Sequence, residues 1–112
     1  MTLLKNIEAQ GYTGYETKRV SKIEKQIVAT LLKENLVIII EGTYLYTTAT
    51  YQKMVGLILK GKAIGEEFTI QEAREHLSLS RKYMLPLLNQ MEREGYLRRI
   101  GDIRRVMKLI SP

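Results

Sequence analysis

The sequence predicts a mainly α-helical chain with small β-hairpin wings, an α+β class, arranged as two tandem modules. Three observations carry that expectation. Apolar residues recur at helical spacing in stretches bounded by capping residues and glycines. Two of those stretches run into a pair of short, strand-like segments joined by a glycine turn. This order occurs twice, abbreviated in the first half and fuller in the second. The 112 residues suffice for one ordinary domain or two very small ones, and 45% apolar residues is usual for a folded chain.

In the first half, Leu3, Leu4 and Ile7 share one face of a helix over residues 2–10, which Gly11 ends. Residues 11–18 read as a loop with two glycines. Ser21 followed by Glu24 is a capping box, with Val20 before it as a staple. Ile23, Ile27, Val28, Leu31 and Leu32 then mark a helix ending near Asn35. Residues 36–41 read as a strand, Gly42 and Thr43 as a tight connection, and residues 44–47 as the return strand. Tyr44, Tyr46 and Tyr51 read as packing residues near the junction of the modules.

The second half opens with a helix over residues 51–60, striped by Met54, Val55, Ile58 and Leu59. Glycines and charges break the chain over residues 61–67, and residues 68–70 are a short strand. Thr69 and Glu72 form a second capping box, for a short helix with Ala73 and Leu77 inward. After a turn at Ser78 and Leu79, Ser80 is expected to cap a helix running to about Glu94, with Tyr83, Met84, Leu87, Leu88 and Met91 on its apolar stripe. Pro86 lies inside that span, so either a bend or a late start is expected. Gly95 suits the exit. Residues 96–100 and 103–109 form a hairpin about Gly101 and Asp102. Helix, strand, helix, turn, helix, strand, wing, strand is the order of a winged helix-turn-helix. The modules are placed at residues 1–50, abbreviated or truncated, and 51–112.

The net charge of +6 and pI near 9.6 favour a polyanionic partner. Cysteine is absent, which excludes disulfides, thiolate metal sites and cysteine nucleophiles. No apolar run approaches a spanning length and the N-terminus lacks a signal-peptide pattern, so a cytoplasmic chain without membrane contact is expected. Phosphate-loop, dinucleotide, zinc-protease and serine-hydrolase motifs are all missing. The chain therefore reads as non-enzymatic, with no cofactor and no metal site. His76, the single histidine, stands without metal-ligand company.

The strongest charge signal surrounds the last helix and wing. Arg81 and Lys82 open the helix, Arg98 and Arg99 lie on the first wing strand, and Arg104 and Arg105 on the second, followed by Lys108. Between Arg98 and Lys108 only Asp102 is acidic. Cations in a first helical turn oppose the usual preference for acids there, which makes sense where a phosphate is expected. Strand alternation sends Arg98 and Arg99 to opposite faces, and likewise Arg104 and Arg105, with Arg99 and Arg104 favoured as the ligand-facing pair. Asp102 is a turn residue that could orient an arginine or accept from a base, and Tyr83 is either core or a stacking platform. With the charge gathered here, the first module reads mainly as a spacer.

The run from Phe68 to Val106 resembles the C-terminal winged-helix module of the bacterial selenocysteine-specific elongation factor, SelB. The resemblance rests on Ser80 to Tyr83, on Leu85 to Leu88, on Glu94 with Gly95, and on the Arg98 to Arg104 wing. It is close over about 40 residues and looser before them. It implies a C-terminal fragment of a translation factor whose GTPase part, related to elongation factor Tu, lies outside this sequence. In such a factor the partners are GTP, selenocysteinyl-tRNA, the ribosome and an mRNA stem-loop, and the last winged helix tethers the factor to the selenocysteine insertion hairpin. Carried over, Arg81, Lys82 and Tyr83 would meet the hairpin from the helix, and Arg98, Arg99, Gly101, Asp102 and Arg104 from the wing. Arg105 adds charge there, and the fragment is expected to be monomeric. Two rival readings are a DNA-binding transcriptional regulator and a protein-interaction module, since one fold serves all three.

Overall fold

The computed structural model describes residues 2–110. The chain divides into two compact units, Met1–Tyr51 and Gln52–Pro112. Each holds a three-stranded antiparallel sheet beside helices, an α+β arrangement.

The first unit begins with α1 (Thr2–Gln10). A 3₁₀ turn over Gly11–Thr13 leads to a two-residue strand, β1 (Tyr15–Glu16), and a second 3₁₀ turn over Thr17–Arg19. The loop expected over residues 11–18 is thus structured, because β3 offers β1 a free edge. Gly14 has φ +78° and ψ 153°, a region reserved for glycine, and a Cβ there would lie 2.9 Å from the Tyr46 ring. The Tyr46 hydroxyl donates to the Tyr12 carbonyl at 3.2 Å, which ties this segment to the sheet.

The capping box forms as the sequence predicts. The Glu24 amide donates to Ser21 Oγ at 3.2 Å and the Ser21 amide to Glu24 Oε1 at 3.0 Å. Helix α2 (Glu24–Lys33) then buries Val28 and Leu31. These join Leu3, Ile7, Tyr15, Val37 and Leu45 in one core, with Val20 packed against it. Ile23, expected on the apolar stripe, is instead 83% exposed at the N-cap position, before α2 begins. Strands β2 (Val37–Ile40) and β3 (Tyr44–Thr47) pair from Val37↔Thr47 to Ile40↔Tyr44. Glu41 and Gly42 make the turn with positive φ.

Helix α3 (Thr48–Leu59) begins three residues before the expected position and runs across the boundary between units. Thr47 Oγ1 accepts from the Thr50 amide at 3.1 Å, a side-chain cap that the β-branched run 47–50 disguises.

In the second unit, β4 (Glu67–Thr69) feeds α4 (Ile70–Leu77) through a complete capping box at Thr69 and Glu72. Ser78, in the left-handed region at φ +54°, turns the chain towards α5 (Arg81–Arg93). The Ser80 side chain makes no capping bond, contrary to expectation; its carbonyl instead receives the Tyr83 and Met84 amides at 3.1 Å. Pro86 lies within α5, which is neither interrupted nor delayed to start there; proline only withholds the amide that the Lys82 carbonyl would receive. Phe68, Ala73, Leu77, Met84, Leu87, Leu88, Met91, Leu97 and Val106 are buried. Strands β5 (Leu97–Ile100) and β6 (Ile103–Val106) close the unit, each shorter than expected, in the sheet order β4-β6-β5.

Candidate nucleic-acid interface

The register of the last hairpin decides what each arginine does. Leu97 pairs with Val106 and Arg99 with Arg104, so all four share the face turned to the helices. Arg98 pairs with Arg105 on the other face. Towards the core that inner face is apolar; towards the tip it becomes arginine. The two-residue loop places Gly101 at φ +58° in its first position, which suits a type II′ turn.

Arg99, Asp102 and Arg104 together with Arg81 line a recess of about 220 Å³, whose remaining wall is Thr69, Ile70 and Gln71. Three elements meet there: the N-terminus of α4, the N-terminus of α5 and the wing. The first turn of α4 contributes the positive end of its dipole.

Arg104 is the unusual member. Its side chain is fully buried, yet none of its three guanidinium nitrogens has a hydrogen-bond partner. Glu92 Oε2 stands 3.9 Å from Nε, near enough for charge attraction and too far for a hydrogen bond. Burial pushes the Arg104 pKa below the ordinary arginine range. Glu92 opposes that shift, Arg99 and Arg81 add to it, and Asp102 opposes it weakly. Three cations thus converge against two carboxylates, and one cation is desolvated with all its donors unspent. Leaving such donors unmade costs about 1–3 kcal/mol per group or more. An anion in the recess would meet the exposed Arg81 and Arg99 and lie in the field of the buried Arg104.

The other sequence-predicted residues lie elsewhere or contribute differently. Arg105 donates to Glu67 Oε2 through Nε at 3.1 Å and Nη2 at 2.6 Å, on the outer face of the sheet. Arg98 is exposed on that same outer face. Lys82 is exposed beside the half-buried Tyr83, its Nζ 5.4 Å from the ring centroid. Lys108 folds over Tyr96 at 4.7 Å, near Gly95 at the exit of α5. His76 is exposed, 3.4 Å from Lys62 Nζ. Thr69, Ile70, Gln71 and Glu92 belong to the site's surroundings although sequence reasoning did not single them out for it. The Thr69 capping box was the available signal, since it fixes where the α4 amides point.

Residues 62–106 match the family model described as the winged helix of elongation factor SelB. This segment is similar to a SelB winged helix. The SelB match spans β4 to β6, so the recess lies wholly inside it. The chain is also 25% identical over 83 residues to the selenocysteine-specific elongation factor of Desulfomicrobium baculatum, covering 74% of this chain and 13% of that protein. Two solved structures share its fold. One is a bacterial selenocysteine-specific elongation factor, EF-Sec, with TM-score 0.80 and 24% identity over 96% of this chain and 18% of that one. The other is the mRNA-binding domain of SelB from E. coli in complex with SECIS RNA, with TM-score 0.76 and 14% identity over 96% of this chain and 93% of that one. The chain thus spans a small part of the full-length factors it matches. No described helix is long and apolar enough to cross a membrane.

Proposed function

We propose that the second unit binds an RNA stem-loop and so tethers a larger selenocysteine-specific elongation factor to its message. The observation that carries this reading is the buried, unpartnered Arg104 guanidinium at the wall of a recess shared with Arg81 and Arg99. Backbone phosphates satisfy arginines at the rim, and Asp102 accepts from a base that leaves the stack. This division of labour gives affinity to the cations and specificity to the recess. The likeness to an RNA-bound SelB domain supports the choice of RNA over DNA.

The test is a titration of the chain with the selenocysteine-insertion hairpin of its own genome, beside a loop-scrambled hairpin and a DNA duplex of equal length. The native hairpin is expected to bind at least tenfold more tightly than either control. Arg99→Ala should weaken that binding by about 1–3 kcal/mol without altering the circular dichroism spectrum. Equal, strongly salt-sensitive affinity for all three nucleic acids would reject hairpin recognition.

A further inference from the structure

The first unit has six basic and five acidic side chains in its 51 residues, against twelve and seven in the remainder. Near-neutrality argues for a spacer, but its charges are not evenly spread. Lys18, Arg19, Lys22 and Lys25 fall within eight residues and all are exposed. Of the two acids closest to them, Glu24 is engaged in the Ser21 capping box and Glu16 in a 3.3 Å pair with Lys18.

Helix α2 is placed to use this charge. It immediately precedes the β2–β3 hairpin, as α5 precedes β5–β6, so it holds the recognition-helix position of its own unit. The Lys25 amide donates to the Ser21 carbonyl at 3.1 Å, which extends the helical turn back to Lys22. At about 100° per residue, Lys22, Gln26, Ala29 and Lys33 fall within a sector of roughly 60°, opposite the buried Leu31, with Lys25 at its flank. All five are exposed, and none is acidic. Lys22, Lys25 and Lys33 have no acidic partner within 4 Å among the described residues. Lysines stand at both ends of the face, and the small Ala29 at its centre leaves room for close approach.

We infer that the outer face of α2 is a second RNA-binding surface, which takes the phosphate backbone of a base-paired stem without reading its sequence. It goes beyond the recess reading and does not depend on it: lysines on a rod-like helix face supply point charges, whereas the recess supplies buried donors. Charge complementarity commits the face to a polyanion, and the absence of an exposed aromatic on it points to paired rather than splayed nucleotides.

The experiment uses the full chain and a perfectly paired RNA duplex of about 20 base pairs, without loop or bulge. The triple variant Lys22→Gln, Lys25→Gln, Lys33→Gln keeps good helix formers throughout. It should lose at least tenfold in duplex affinity at low salt, and its log–log salt slope should shrink by about 2–3, near 0.9 per phosphate contact. The control Asp102→Ala should lose discrimination between native and scrambled hairpins while keeping the Lys-dependent slope. Lys53→Gln with Lys60→Gln tests for a mere change of net charge. An unchanged duplex affinity in the triple variant, or an equal loss in the Lys53 and Lys60 variant, overturns the inference. So does binding of the triple-lysine face to anionic phosphatidylserine vesicles with no effect on duplex RNA.

Discussion

A single guanidinium sets the character of the site. Arg104 is held among Phe68, its cross-strand neighbour on β4, and Arg99 on β5, with its donors unspent. Buried ions without full hydrogen bonding destabilise the fold they sit in, and replacing a whole buried pair by apolar residues of similar volume often stabilises by about 1–4 kcal/mol, whereas removing one partner strands the other. Arg104→Met combined with Glu92→Leu is therefore expected to raise the melting temperature while lowering hairpin affinity at least tenfold. Calorimetry and a binding titration on the same preparation check both halves. A fall in melting temperature with unchanged affinity would make Arg104 a structural cation held by Glu92. A period of two splits each arginine doublet without saying which member turns inward; sequence reasoning favoured Arg99 and Arg104, and the register pairs them. That reasoning did not find the burial: an arginine in a strand usually reaches solvent, and only the meeting of three elements encloses this one. Glu92 stayed invisible for the same reason, being one more acid on a helix until the fold sets it 3.9 Å from Nε.

At the scale of elements, short-range chemistry was legible and edge-dependent structure was not. Both capping boxes form at the residues that predict them, because each needs only four residues and two hydrogen bonds. Strand β1 was missed because two residues carry no period; it exists by pairing with β3, a partner 30 residues away. The early start of α3 was missed because Thr47, Thr48 and Thr50 have strand-like side chains, while Thr47 acts here as the cap. The Thr69 box has a consequence for binding, since the turn it fixes supplies Ile70 and Gln71 to the recess. Thr69→Ala should cost about 1 kcal/mol, seen as a fall of roughly 4–8 °C in melting temperature. Hairpin affinity should fall with it. A stability loss with wholly unchanged affinity would show that the α4 terminus does not shape the site.

For the molecule as a whole, the two units divide the labour if both RNA surfaces operate. The recess carries discrimination, and the α2 face adds attraction that any stem can enjoy. A fragment beginning at Thr47, which keeps α3 and its cap, is accordingly expected to retain the affinity ratio between native and loop-scrambled hairpins to within about threefold. Its absolute affinity should fall and become less steep in salt, with fewer phosphates neutralised. Anisotropy titrations at three salt concentrations check this. A folded fragment that loses the ratio itself would assign part of the specificity to the first unit. The overall class was legible from the doubled order of helix and hairpin. The lysine face of α2 was not, since near-neutral totals hide segregation that only helical geometry separates.

The doubled arginines of the wing bear on how such a hairpin can change over time. Sliding a strand by one residue in one direction would put Arg98 where Arg99 stands, or Arg105 where Arg104 stands, so the cationic lining survives that displacement. The apolar pair Leu97 and Val106 would be turned out into water by the same slide, with the bulkier Tyr96 and Met107 taking their buried places. Alignment is therefore policed by the greasy half of the hairpin and left redundant in the charged half. A lineage can lose an outer arginine at little cost to binding, but the pair that keeps the strands in step has only neighbours of other bulk to stand in for it.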